Sequence, residues 1–172
     1  MGLRLIIGGA RSGKSALAQA QAEAEARRRG GAPVMIATAE ALDEEMRARI
    51  ARHQAERGPG WRTVEAPLDL VAATAQLEAG DCAVIDCLTL WLSNLMFAER
   101  DLERETEALL QAASRSPSEI ILVTNEVGMS IVPENPLARR FRDEAGWMNR
   151  RAAEAAGEVT VMFAGLPLRL KP

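Results

Sequence analysis

The residues most suited to chemistry form the stretch GGARSGKS at positions 8–15, which fits the pattern G-x-x-x-x-G-K-[ST]. An apolar run at residues 3–7 precedes this stretch and an alanine-rich helical pattern follows it. In a strand, glycine-rich turn and helix, backbone N–H groups and the helix N-terminus converge on phosphate oxygens. Lys14 would then reach the β- and γ-phosphates, and the Ser15 hydroxyl would bind Mg²⁺. The motif therefore predicts a site for a nucleoside triphosphate.

The bulk composition is that of an ordinary soluble protein, with 172 residues, 48% of them hydrophobic and 26% charged. This length predicts a single domain over residues 1–172. The net charge of −3 does not indicate a nucleic-acid surface. Two cysteines, Cys82 and Cys87, flank one apolar run and are expected to be reduced core residues. Without a signal-peptide pattern or a membrane-length apolar stretch, we expect a cytoplasmic protein.

Short apolar runs alternate with longer amphipathic ones, which predicts an α/β fold with a mostly parallel open sheet and helices on both faces. Pro167 suits a final edge strand, which we expect to be antiparallel. The predicted strands cover residues 3–7, 33–38, 61–67, 82–86, 120–124, 159–163 and 166–170. The predicted helices cover residues 14–29, 39–57, 68–79, 88–98, 102–114 and 137–156.

Ligands of open parallel sheets bind beyond the carboxyl ends of the strands. This rule selects Thr38, Glu65, Asp86 and the pair Asn125 and Glu126 as neighbours of the phosphate loop. Asp86 ends an apolar strand and is a candidate partner of Mg²⁺, with a simple helix N-cap as the alternative. Glu126 could serve similarly or be an ordinary loop carboxylate.

Residues 125–136 form a long irregular stretch after a strand that should end at the same edge. Long loops in compact domains are often functional, because a structureless stretch must be tolerated for some reason. The alternative is a plain surface connection.

The single histidine, His53, lies on the predicted helix 39–57. It shares a helix face with apolar residues, which favours a core position. It also lies between Arg49 and Arg57 at a spacing of four residues, which suits a phosphate-bearing partner. Neutral imidazole is a good nucleophile toward phosphorus, and flanking guanidinium groups would stabilise the transferred charge. The residue pattern alone leaves both interpretations open.

Together these stretches resemble the bifunctional adenosylcobinamide kinase/adenosylcobinamide-phosphate guanylyltransferases of cobalamin biosynthesis. The resemblance runs nearly from end to end and includes the phosphate loop, the region around His53, and W-R-T-V-E at residues 61–65. It continues through D-C-L-T-L-W at residues 86–91 and F-R-D at residues 141–143. Its most specific part is T-N-E-V-G at residues 124–128 followed by I-V-P-E-N at residues 131–135.

The resemblance implies a two-step enzyme with a RecA-like P-loop NTPase fold. ATP or GTP would phosphorylate adenosylcobinamide, and GMP from GTP would then pass to adenosylcobinamide phosphate through a covalent GMP–histidine. Only His53 can supply that histidine here. The resemblance also implies a homotrimer, with Mg²⁺ held at Ser15 and Asp86. The implied nucleotide contacts are Gly8, Gly9, Ala10, Arg11, Ser12, Gly13, Lys14, Ser15, Ile36, Ala37, Thr38, Gln54, Ala55, Glu56, Arg57, Glu65 and Asp86.

Two positions depart from the pattern of some family members. Arg52 precedes His53 where some members carry a histidine pair, and this neighbour could alter the pKa of His53. Position 86 is Asp here and Glu in some members, which changes the reach of the carboxylate toward Mg²⁺ or ribose.

Two rival functions also fit the phosphate loop. The first is a plain small-molecule kinase in which His53 is structural. The second is a nucleotide-sensing module that binds a protein partner through residues 125–136 and transfers nothing.

Overall fold

A computed structural model describes residues 2–40, 44, 48, 51, 57–58 and 60–172. The strands are β1 Leu3–Gly8, β2 Pro33–Ala37, β3 Arg62–Glu65, β4 Cys82–Asp86, β5 Glu119–Asn125, β6 Glu158–Phe163 and β7 Leu166–Lys171. The helices are α1 Lys14–Arg29, α2 Leu70–Thr74, α3 Leu88–Phe97, α4 Leu102–Arg115 and α5 Pro136–Ala155.

All seven described strands join one sheet in the order β3-β2-β4-β5-β1-β6-β7. The first six in this order are parallel, and β7 pairs antiparallel with β6 at the edge. The predicted fold class is therefore confirmed, including the antiparallel edge strand. Because parallel strands end at the same edge, this sheet gathers the ends of β1, β2, β3, β4 and β5 on one side.

Helices cover both faces of the sheet. On one face, Ala18, Ala22 and Ala26 of α1 are buried against the sheet. They recur every four residues, so they share one helix face, and their small side chains let α1 approach closely. On the other face, α3 contributes Trp91 and Leu95 to a larger core that also contains α4 and α5. Both layers thus fix helices that begin at the edge where the strands end.

Two predictions about helices have different outcomes. The helix predicted over 68–79 is shorter, because after Thr74 the chain continues in tight turns with Gln76 N bonded to Ala73 O and Leu77 N to Thr74 O. The helix predicted over 39–57 falls mostly outside the described residues, although Glu44, Ala48 and Ala51 are helical. None of the described helices is both long and apolar enough to cross a membrane.

Both cysteines are free and buried, as expected. Burial raises the pKa of Cys82 to about 12 and that of Cys87 to about 11. Both thiols therefore stay protonated at neutral pH and act as small apolar core groups.

Asp81 ties three segments together at the opposite edge of the sheet, where β4 begins. Its side chain is only 6% exposed. Its carboxylate accepts hydrogen bonds from Ala32 N at 3.2 Å and Glu78 N at 3.0 Å, and it forms an ion pair with Arg62. This carboxylate therefore links the starts of β2, β3 and β4.

Asp81→Ala should lower the free energy of unfolding by about 1–3 kcal/mol, because the backbone N–H groups of Ala32 and Glu78 lose their acceptor and Arg62 loses its ion pair. Urea unfolding at pH 7 measures this change. Asp69→Ala is the matched control, since the Asp69 side chain is 72% exposed, and its cost should stay below about 0.5 kcal/mol. Equal effects of the two substitutions would contradict the structural role of Asp81.

Candidate active site

The phosphate loop joins β1 to α1. Gly8 ends β1, Gly13 caps α1 with φ of +95°, and Lys14 is the first helical residue. The positive φ at Gly13 is a conformation that side-chain-bearing residues rarely adopt. Gly8 is required for another reason, since a Cβ there would lie 2.4 Å from Met162 O of β6. The sequence pattern is thus explained by backbone geometry, and the loop leads directly into a helix N-terminus that favours anions.

Two polar side chains of the loop point toward its interior. Lys14 is only 7% exposed, and its Nζ donates to Gly9 O at 2.6 Å. The buried Ser12 Oγ has no hydrogen-bond partner within the described part of the chain. A buried hydroxyl without a partner is costly, and a phosphate oxygen would satisfy it. The loop therefore combines the Lys14 cation, the Ser12 hydroxyl and a helix N-terminus, and these three groups together favour phosphate binding.

The strand ends line up beside this loop in the predicted way. Gly8 pairs with Asn125 of β5, and Asp86 of β4 pairs with Ala37 of β2. Ala37 pairs in turn with Glu65 of β3 on its other side. The sheet therefore brings the phosphate loop, Asn125, Asp86, Ala37 and Glu65 together at one edge, in that spatial order.

Asp86 ends β4, and Ser15 is the second residue of α1, the helix that follows β1 and the phosphate loop. Both residues are half-buried, and β5 alone separates β4 from β1, so these two strands lie about two strand spacings of 4.8 Å apart. The alternative role of Asp86 as a helix N-cap is not seen, because Cys87 occupies that position and makes no side-chain cap bond. The Asp86 carboxylate is therefore available to a ligand at this edge.

These groups suit a magnesium ion that arrives with a nucleotide. Among the described residues, no group of three or more His, Cys, Asp or Glu side chains could hold a metal ion by itself. Mg²⁺ is usually held by one or two carboxylates, with phosphates and water completing its shell. One hydroxyl from Ser15 and one carboxylate from Asp86 fit that chemistry.

Arg57 brings the segment after the histidine to the same edge. Its Nη1 donates to Thr63 Oγ1 of β3 at 3.2 Å. Burial lowers the pKa of Arg57, and the attraction of the Asp86 carboxylate opposes that shift. Guanidinium remains protonated in proteins, so Arg57 is a half-buried cation beside the carboxylate.

Thr38 is a structural connection rather than an open side chain. It is fully buried, and its Oγ1 accepts from Cys87 N at 2.8 Å and donates to Cys87 O at 2.9 Å. Asn94 Nδ2 of α3 bonds Thr38 O and Pro67 O, both at 2.9 Å. These bonds lock the ends of β2, β3 and β4 to one another, so Thr38 fixes the edge.

The loop after β5 is irregular over residues 126–135, as predicted. Glu126 N donates to Gly8 O at 3.1 Å, and the Glu126 carboxylate accepts from Gly128 N at 2.6 Å. The loop thus begins in direct contact with the phosphate loop. Met129 and Ile131 further along it are 89% and 94% exposed.

The remaining predicted residues divide by location. Gly9, Ala10 and Arg11 are exposed on the phosphate loop, whereas the Ile36 side chain is buried in the core below the edge. Some predicted residues lie outside the described part of the chain: His53, Gln54, Ala55 and Glu56.

Sequence reasoning missed four polar side chains behind the site. Asn94 joins two strand ends. Thr124 bonds to both Thr89 and Asn149, and these two side chains bond in turn to the backbone of Asn125. A signal existed for two of them, since Thr89 and Asn94 are polar residues inside the apolar stretch 88–97. Buried polar side chains need partners, so their position pointed to a positioning function.

A separate cleft of about 470 Å³ lies between α3, α4 and α5. Its arginines are paired, with Arg151 bonded to Glu103 and Glu107, and Arg100 bonded to Glu105. None of its lining residues belongs to the edge that carries the phosphate loop.

The fold and this edge define a protein of the P-loop NTPase fold class. A solved structure of the flagellar accessory protein FlaH from Methanocaldococcus jannaschii matches with a TM-score of 0.56 at 14% identity. The match covers 99% of this chain and 78% of that chain. At this identity the similarity supports the fold alone.

The sequence defines the family. The profile of the family described as "Cobinamide kinase / cobinamide phosphate guanyltransferase" matches residues 4–170. A relative from Pseudomonas aeruginosa, named bifunctional adenosylcobalamin biosynthesis protein CobP, is 50% identical and covers 97% of this chain and 96% of its own. A Salmonella typhimurium relative, named bifunctional adenosylcobalamin biosynthesis protein CobU, is 42% identical with coverage of 97% and 98%. The chain therefore belongs to the cobinamide kinase / cobinamide phosphate guanyltransferase family, which confirms the resemblance.

Proposed function

We propose that this chain phosphorylates adenosylcobinamide with ATP or GTP and then transfers GMP from GTP to the new phosphate, giving adenosylcobinamide-GDP. Membership of the family supports both activities. The observation that carries the proposal is the edge itself, where the strand ends bring the phosphate loop with Lys14, the Asp86 carboxylate and Arg57 to the same side of the sheet. Cations suited to two ends of a triphosphate therefore lie at one site.

In the kinase step the protein mainly positions and stabilises the transferred group. The γ-phosphorus is attacked by the substrate hydroxyl, the bond to the β-phosphate oxygen breaks, and the hydroxyl proton is released. Lys14 and the N–H groups of the loop stabilise the charge that spreads over the γ-phosphoryl oxygens. Mg²⁺ bound by Ser15 and Asp86 would supply further neutralisation of the phosphates.

In the guanylyl step the proposed nucleophile is His53. Its neutral imidazole attacks the α-phosphorus of GTP, and pyrophosphate leaves with the electron pair of the broken P–O bond. The phosphate of adenosylcobinamide phosphate then attacks the same phosphorus and releases the histidine, so one difficult transfer becomes two easier ones. Arg57 lies at this edge and follows His53 by four residues, which span at most about 14 Å. This short connection supports the proposal that His53 reaches the nucleotide.

The proposed nucleotide contacts lie mainly at this same edge of the sheet. Gly8, Gly13, Ser12, Lys14 and Ser15 would hold the phosphates, with exposed loop residues around them. We propose that the remaining contacts are Gly9, Ala10, Arg11, Ala37, Gln54, Ala55, Glu56, Arg57, Glu65 and Asp86. The other two predicted contacts, Ile36 and Thr38, are fully buried, and we propose that they hold the edge in place behind these residues.

We also propose a cytoplasmic homotrimer of single-domain chains that binds small molecules and no nucleic acid. One sheet contains all seven described strands, which supports a single domain. Phe163, Leu166 and Leu168 of the β6–β7 hairpin are 77%, 71% and 61% exposed, and such an apolar surface suits a contact between subunits. Light scattering on the purified protein measures the mass, and a monomer would contradict the trimer.

Incubation with adenosylcobinamide, GTP and Mg²⁺, followed by chromatography of the corrinoids, tests the function. Adenosylcobinamide phosphate should form first and adenosylcobinamide-GDP second. If the phosphate accumulates without the GDP ester, the chain is a plain kinase. Nucleotide binding without any corrinoid product would instead favour the sensing module.

A further inference from the structure

The last residue of β5 has an unusual backbone environment. Asn125 pairs with Gly8 of β1 on one side, but β4 ends at Asp86, which lies opposite Val123. On the β4 side, the N–H and C=O of Asn125 therefore have no strand partner. Buried backbone polar groups require one, so the structure must supply it from elsewhere.

Two buried side chains supply these partners. Thr89 Oγ1 of α3 accepts from Asn125 N at 2.7 Å, and Asn149 Nδ2 of α5 donates to Asn125 O at 3.1 Å. Thr89 is 7% exposed and Asn149 is 6% exposed. Helices from two places in the chain thus hold a single residue at the end of β5.

Thr124 closes these contacts into a ring. Its Oγ1 donates to Asn149 Oδ1 at 2.7 Å and lies 3.3 Å from Thr89 Oγ1. With the Thr89 hydroxyl as donor to Thr124 Oγ1, four hydrogen bonds run in one direction through Asn125, Thr89, Thr124 and Asn149. Each of these four residues then donates once and accepts once. Such closed, buried networks strengthen cooperatively and fix a unique geometry.

The ring holds Asn125, which lies between Gly8 of the phosphate loop and the Asp86 carboxylate. The next residue, Glu126, donates from its N–H to Gly8 O at 3.1 Å, which couples the ring to the loop. Asn125 is half-buried, and within the described part of the chain its side-chain amide has only the weak contact to Cys87 Sγ at 4.0 Å. Its amide N–H groups therefore remain available at a point between Gly8 and Asp86.

The geometry points to a triphosphate-reading device: Asn125 donates from its side-chain amide to the γ-phosphoryl group, and Thr89, Thr124 and Asn149 are positioning residues that hold it there. This inference rests on the proposed function, because it places the γ-phosphate of the bound ATP or GTP at the end of β5, between β1 and β4. A donor at this point contacts a triphosphate and has no partner on a diphosphate. The ring residues therefore act on phosphate discrimination through Asn125 without touching the nucleotide themselves.

Titration with GTP and with GDP in the absence of corrinoid tests this device directly. Asn125→Ala should reduce the preference for GTP over GDP about 10-fold, the value of a charge-assisted hydrogen bond, with GDP affinity unchanged. Thr89→Val should give a similar loss because it removes the acceptor of Asn125 N while keeping the side-chain shape. Thr89→Ser retains the oxygen and should restore the preference to within about threefold of the original protein.

Kinase turnover should follow the same order, falling about 10- to 100-fold in Asn125→Ala and Thr89→Val. Thr106→Val is the matched control, since Thr106 is also buried and bonds only within α4, to Leu102 O at 2.7 Å. Its melting temperature measures the cost of a lost buried hydroxyl, and its GTP preference should not change.

An unchanged GTP preference in Asn125→Ala would overturn the inference. This substitution leaves the ring intact, because the ring uses only the backbone of Asn125, so the variant remains informative if Thr89→Val fails to fold. Equal loss of GTP and GDP affinity would also overturn it, as would a Thr89→Ser protein no better than Thr89→Val. The titration needs no corrinoid. A chain that discriminates GTP through Asn125 but makes no corrinoid product would therefore refute the proposed function while supporting the device.

Discussion

Lys14→Ala should lower both kinase turnover and guanylyl transfer by about 10²- to 10³-fold, the usual cost of removing a preorganised group that stabilises developing charge. The reason is that both reactions use one phosphate loop, whose buried ammonium lies against Gly9 O at 2.6 Å. Single-turnover rates at saturating nucleotide measure the two steps separately.

The chain provides a matched control for this substitution. Lys171, the last residue of β7, donates from Nζ to the carbonyl groups of Ala153, Glu154 and Ala156 at the end of α5. Lys171→Ala makes the same change in charge and should reduce stability slightly, with both rates within about twofold of the original. Loss of only one activity in Lys14→Ala would contradict a shared site.

His53→Asn should separate the two activities. Guanylyl transfer should fall at least about 10³-fold because the nucleophile is lost, while kinase turnover stays within about threefold. Chromatography of the corrinoid products after incubation with GTP should then detect adenosylcobinamide phosphate without the GDP ester.

Chemical rescue gives this experiment its control. His53→Gly leaves space for a free imidazole, which should restore part of the guanylyl transfer if the ring of His53 is the nucleophile. A parallel fall of both activities in His53→Asn, without rescue, would favour the alternative in which this histidine is structural.

Much of this edge could be predicted because it depends on local rules. The phosphate loop is specified by Gly8 and Gly13, whose backbone requirements are visible as a sequence pattern. Asp86 was predicted because it ends an apolar run, and parallel strands end together. The alternation of apolar and amphipathic runs was sufficient to predict the strands and most of the described helices, and Pro167 indicated the final edge strand.

The supporting contacts could not be predicted because they depend on strand order. Thr89 and Asn149 are 60 positions apart in number, and they meet only because β5 lies between β1 and β4. The influence of the Asp86 carboxylate on the pKa of Arg57 likewise requires β2 and β4 to be neighbours. The helix predicted over 68–79 was too long because its composition does not reveal the tight turns after Thr74.

The most direct test of the central claim, that one phosphate loop serves attack at two different phosphorus atoms, follows the label from GTP onto the protein. With GTP labelled at the α-phosphorus and Mg²⁺ present, the protein should retain an acid-labile label, and Lys14→Ala and His53→Asn should not. Addition of adenosylcobinamide phosphate should move that label into the GDP ester. Formation of the labelled ester by a protein that never carries label would contradict the account, because GMP would then pass directly between substrates.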